Sequence, residues 1–141
     1  MILPDINVWV ALAHEAHPHN RPAAKWLDDV PIDKQIFLCR ITQMGLLRLL
    51  TNSAALGPET LTQKAAWEVY ELFLLDPRVH FHAEPIDMER IFRSISAREE
   101  KSPKRWTDDY LLAFAEAANL TFVTFDRTLA ARTSNAILLA A

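Results

Sequence analysis

Asp108 and Asp109 stand near the start of the stretch TDDYLLAFAEAANLTFVTFD, and Asp126 closes it. At the other end of the chain, Asp5 follows an apolar run from Met1 to Leu3 and precedes Asn7. If the segments around Ile2 and Val123 are parallel strands of one sheet, Asp5 and Asp126 both emerge at carboxyl ends, where open α/β folds place their sites. A helix opening with Asp108 beside them adds a third acid to the same crevice. Carboxylates gathered this way repel one another, and a hard divalent cation that prefers oxygen ligands, Mg²⁺ or Mn²⁺, compensates them. Two acids in a first helical turn also have a plainer reading, compensation of the helix dipole.

The elements that must position these acids follow from the pattern of apolar residues. Thr107 suits the N-cap of the late helix and Asn119 its close. Counting from Asp108 at helical spacing gives Leu111, Leu112 and Ala115, whereas Asp109 shares its side with Ala113 and Glu116, so the pattern aims Asp108 inward and Asp109 outward. Upstream, a helix runs from Asp5 to about Glu15 and a second through Trp26 and Leu27. Ile36 to Cys39 reads as a buried strand. Thr42 suits the cap of a helix that carries Gln43 at its start, facing the crevice. Gly57 and Pro58 open a long helix through Trp67 and Phe73, Val79 to His82 forms a strand, and residues 87 to 100 form an amphipathic helix. A last strand spans Ala136 to Leu139. This order, β-α-α-β-α-α-β-α-α-β-α-β, predicts an α/β fold with a mostly parallel central sheet of four to five strands flanked by helices on both faces.

Bulk properties narrow the function. The 141 residues suit a single domain, residues 1 to 141, and half of them are hydrophobic with only two glycines, which argues against disorder. Apolar runs fall far short of the roughly 18 residues of a membrane span, and no basic region precedes Ile2, so the expected location is the cytoplasm. A formal charge of −3 argues against broad binding of duplex DNA, so a nucleic-acid substrate needs a local basic patch. The stretch KSPKRW supplies one: Lys104 and Arg105 beside Trp106 suit a phosphate backbone and a stacked base, although a charged loop with a core tryptophan reads equally well. Arg40 and Arg48 flank the Gln43 helix, either as a solvated face or as substrate contacts. His14, His17 and His19 match no standard zinc spacing. Cys39, the single cysteine, excludes an internal disulfide and reads as a buried thiol.

Taken together, PDIN near the start, the RITQMGLLRLLT helix, TDDYLLAFA and TFVTFD resemble the PIN-domain ribonucleases, and within them the VapC-like toxins of bacterial toxin-antitoxin systems. The resemblance runs nearly end to end. It implies an endoribonuclease dependent on Mg²⁺ or Mn²⁺ that hydrolyses RNA phosphodiesters and is neutralised by a cognate antitoxin, and it leaves room for a homodimer. The family acids fall on Asp5, Asp108 and Asp126, which would hold the metal, with Asn7 as the polar companion of the first. Where most relatives carry a glutamate this chain has Gln43, an amide that coordinates through oxygen but brings no charge. Arg48, Lys104 and Arg105 would steer phosphate.

Two rival classes remain at this stage. Loss of charge at position 43 suggests a catalytically weakened PIN domain that acts mainly by binding RNA or its antitoxin. A phosphoacceptor signalling domain also gathers aspartates at strand ends, but it wants an acidic pair after the first strand, where Asp5 stands alone.

Overall fold

A computed structural model describes residues 1–140. Its strands are β1 (Ile2–Pro4), β2 (Ile36–Leu38), β3 (Val79–Phe81), β4 (Thr121–Thr124) and β5 (Ala136–Leu138). The helices are α1 (Ile6–Ala13), α2 (Asn20–Asp29), α3 (Arg40–Leu50), α4 (Ser53–Leu56), α5 (Gln63–Leu74), α6 (Met88–Ser96), α7 (Trp106–Ala117) and α8 (Arg127–Ala130). The strands lie in the order β3-β2-β1-β4-β5, and every neighbouring pair is parallel. The expected sheet is therefore present with five strands, wholly parallel.

Strand order fixes where a site can form. From β1 the chain moves outward through β2 to β3, then returns across the sheet to β4 and continues outward to β5. The direction of winding reverses between β1 and β4, and open parallel sheets bind ligands outside the carboxyl ends of their strands at such a point.

Alternation along the strands divides the core in two. Ile36 and Leu38 point into a cluster with Trp9, Leu46 and Tyr70, built from α1, α3 and α5. Leu3 and Phe122 point the other way, toward Ile91, Leu111 and Phe114 of α6 and α7. Helices thus cover both faces, as buried parallel strands require. Cys39 is buried, as its apolar setting predicts. On the α1 side, Gly45 lets α3 approach closely, since a Cβ there would lie 2.5 Å from Ile6 Cδ1.

Helix starts depart from expectation in three places. Helix α7 begins at Trp106 with Arg105 as its N-cap and no side-chain cap bond, so Thr107 lies inside the first turn. Thr42 is the third residue of α3 and bonds backwards, its hydroxyl accepting from the Cys39 N–H at 2.9 Å. Gly57, at φ 55°, begins a 3₁₀ turn, and Thr62 caps α5 several residues later. At α3 and α5 threonine hydroxyls still serve the helix start, Thr42 from inside the first turn and Thr62 by accepting from the Ala65 N–H, whereas α7 starts without a side-chain cap. Asn119 does end α7, adopting φ 55° just past the C-cap. Among the described residues, no helix is long and apolar enough to cross a membrane.

Candidate functional site

Asp5 leaves β1 at its carboxyl end and caps α1, its Oδ1 accepting from the Ile6 N–H at 2.7 Å. It is 5 % exposed. Its second oxygen, Oδ2, accepts from the Thr124 hydroxyl at 2.9 Å. Thr124 in turn accepts from the Asp126 N–H at 3.0 Å, so one hydroxyl at the end of β4 ties the two aspartates of the switch point together. Asp126 caps α8 through Oδ1 on the Leu129 N–H.

Electrostatics bring in the third acid. Burial pushes the Asp5 carboxyl up to about 6, with the charges of Asp108 and Asp126 adding to the rise and the bonds from Thr124 and Ile6 opposing it. Asp108, half-buried in the first turn of α7, is raised by burial and then by Asp126, while Arg132 draws it back down. The charges of Asp108 and Asp126 therefore reach Asp5, and that of Asp126 reaches Asp108, across the carboxyl edge of β1 and β4. Among the described residues none of them takes part in a salt bridge.

Asp109 corrects the expectation for the acidic pair. It is fully buried, not turned outward. Arg98 grips both of its oxygens, at 2.7 and 2.9 Å, and Arg132 donates to Oδ1 from the other side. The Arg98 bonds are the main reason its carboxyl sits below the usual range.

Gln43 is 5 % exposed at the start of α3, beyond the carboxyl end of β2. Its Oε1 accepts from Arg40 Nη1 at 2.7 Å, and the same guanidinium lies 4.7 Å over the Phe81 ring. Asn7 is exposed in the first turn of α1. Lys104 and Arg105 are exposed just ahead of α7, with Arg105 3.7 Å from Glu100, and Trp106 is 57 % exposed, so it is not a core residue. Arg48 sits in the last turn of α3, lining a cavity of ≈ 370 Å³ with Leu47, Thr51, Gln63, Ala66 and Trp67. Its place is a groove against α5, at the end of α3 opposite Gln43.

The carboxylates at the switch point suit a hard cation, which prefers oxygen ligands. The group is looser than a finished coordination shell: among the described residues, no three His, Cys, Asp or Glu side chains are drawn together tightly enough to hold a metal ion. The same holds for His14, His17 and His19. In that loop the His17 Nδ1 accepts from the His19 N–H, and His19 stacks on Phe125 at 4.3 Å.

Sequence reasoning missed Thr124, Arg98 and Arg132. Thr124 carried a local signal, a hydroxyl two residues before an aspartate, which favours a turn closed by side-chain bonding. The arginines carried none.

Comparison with known proteins bears on this geometry. The PIN domain family model matches residues 2–134. Ribonuclease VapC41 of Mycobacterium tuberculosis is 42% identical over 130 residues, covering 89% of this chain and 89% of that protein. The crystal structure of Mycobacterium tuberculosis VapC20, described as a Sarcin-Ricin loop cleaving toxin, superposes with a TM-score of 0.69 at 14% identity, covering 94% of this chain and 95% of that one. VapBC2 from Rickettsia felis, solved bound to a DNA fragment from its promoter, gives 0.70 at 16% identity, covering 98% and 97%. At those identities the two structures speak for the fold.

Proposed function

The chain belongs to the PIN-domain family, and from that premise we propose that it is an endoribonuclease toxin which hydrolyses RNA phosphodiesters with Mg²⁺ or Mn²⁺ and is neutralised by a cognate antitoxin. The observation that carries this reading is the group of Asp5, Asp108 and Asp126 at the switch point, where burial and the neighbouring charges raise the Asp5 and Asp108 carboxyls and, among the described residues, no salt bridge reaches any of the three. Such an arrangement costs stability unless a ligand of opposite charge completes it.

The three aspartates would hold the ion, with Gln43 and Asn7 orienting carboxylates or water around it. When bound, a divalent cation supplies Lewis acidity toward water and the phosphate oxygens. Thr124 fixes the rotamer of Asp5 and the backbone of Asp126, so the site is set by bonds the chain makes to itself. Lys104 and Arg105 would steer the RNA backbone from the start of α7, and Trp106 offers a stacking face. Arg48 would join them only where RNA extends along the groove between α3 and α5. In the cytoplasm the antitoxin would act by covering the acidic crevice with a basic side chain, and the chain could pair as a homodimer.

The test is an RNA digest with purified protein under Mn²⁺ titration. Asp5→Asn and Asp126→Asn should abolish metal-dependent cleavage with circular dichroism unchanged, and full activity in either variant removes that residue from the site.

One observation favours a second reading, a weakened nuclease that works mainly by binding RNA or antitoxin. The Gln43 oxygen that would face a cation is already taken by Arg40. Gln43→Glu separates the two readings: a large gain in cleavage and Mn²⁺ affinity marks a natural impairment, and no change shows that three acids suffice.

A further inference from the structure

Asp109 joins three separate segments at one point. It sits in the first turn of α7, Arg98 follows the end of α6, and Arg132 follows α8 on the way to β5. Both of its oxygens are occupied, by the Arg98 fork and by Arg132. One carboxylate between two guanidiniums leaves a net positive charge at this point, and the next residue along the helix is Asp108. Arginine forks bind any accessible carboxylate, and Asp108 and Asp126 are accessible. What keeps Arg132 away from them is the better partner, fully buried and geometrically matched, that it already has.

We propose that Asp109 is a positioning residue that sequesters Arg98 and Arg132, so that neither guanidinium folds onto Asp108 and Asp126 and takes the place of the cation. This rests on the metal-site reading above. Removing the Asp109 charge releases two arginines beside a crevice of acids, and the nearest acids then pair with them. The site would be closed by its own chain, with the fold retained.

The experiment measures Mn²⁺ binding by electron paramagnetic resonance of the free ion, using the full chain as wild type, Asp109→Asn, Arg132→Gln and the double variant. Asp109→Asn should weaken binding roughly tenfold or more, the range found when the supporting partners of a metal site are lost. Arg132→Gln alone should bind Mn²⁺ at least as tightly as wild type. The double variant should recover part of the lost affinity, because one of the two competing cations, the one seated beside β5, is gone. Unchanged binding in Asp109→Asn overturns the proposal, and so does a double variant as weak as Asp109→Asn, which would make the cluster a scaffold and nothing more. Should Asp109→Asn fail to fold, Arg132→Gln decides alone: a tenfold loss there refutes sequestration, retained or tighter binding upholds it. Wild-type protein that binds no Mn²⁺ sinks the metal reading itself and this inference with it, an outcome distinct from all the others.

Discussion

Asp108 and Asp109 are one residue apart, yet the first faces other acids and is pushed above the usual carboxylate range while the second is gripped by two arginines and held below it. The crevice around Asp108 carries charge without partners. The cluster around Asp109 carries partners to saturation. An acid cluster of the first kind is tolerated because regions of the second kind, and the two apolar clusters beneath the sheet, hold the edges in place against repulsion.

The contrast breaks most visibly in catalysis. Asp126→Asn should lower cleavage by about a hundredfold or more, because a lost charge in such a site removes several kcal/mol of transition-state stabilisation. Arg98→Gln, which alters the cluster but adds no charge to the crevice, should cost far less activity, and single-turnover cleavage assays compare the two directly.

Stability against pH should show opposite slopes. Asp5, raised to about 6 in the fold, contributes stability that is fully present below its unfolded value and is lost as pH rises through 6. Metal-free Asp5→Asn should therefore be more stable than wild type at pH 7.5, by on the order of 2–3 kcal/mol, the gap closing toward pH 4. Asp109 is depressed, so its contribution is present above the unfolded value and lost as pH falls through the folded one. Asp109→Asn should be less stable than wild type at pH 7.5, with the deficit shrinking in acid. Urea melts at several pH values would record both, and parallel slopes would erase the distinction.

Metal should sharpen it further. Mn²⁺ at a hundredfold excess over its dissociation constant should stabilise the wild type by about 2.7 kcal/mol at pH 7.5. The gain should shrink at pH 5, where Asp5 is protonated, and thermal melts with and without chelator test this. The smallest effect belongs to Gly45→Ala. Overpacking against Ile6, next to Asp5, should outweigh the better helix propensity of alanine and leave a net loss of about 1 kcal/mol.

Much of this was legible before any coordinates. Short apolar runs alternating with helical patterns imply parallel strands, and parallel strands carry Asp5 and Asp126 to one edge. The orientation of the acidic pair was not legible, for a physical reason. Leu111, Leu112, Ala113, Phe114 and Ala115 are all buried, so α7 is enclosed around most of its circumference and Ala113 marks no outer face. Periodicity discriminates between faces only where one of them meets water. The arginines that claim Asp109 lie 11 and 23 residues away along the chain, reached through packing of α6 on α7 and of α8 beside β5, which local pattern does not encode. Thr42 and Thr107 each lie inside the first turn rather than at its cap, and Thr42 still serves the helix start by bonding back to the Cys39 N–H.

The hydroxyl of Thr124 reaches an aspartate 119 positions earlier in the chain. On a ribosome, the carboxylate of Asp5 is translated well before those of Asp108 and Asp126. A product that stops before β4 carries Asp5 and Asp108 but lacks Thr124 and Asp126, and so has no crevice. Strand order therefore keeps the proposed site from assembling on a nascent chain until β4 has been made.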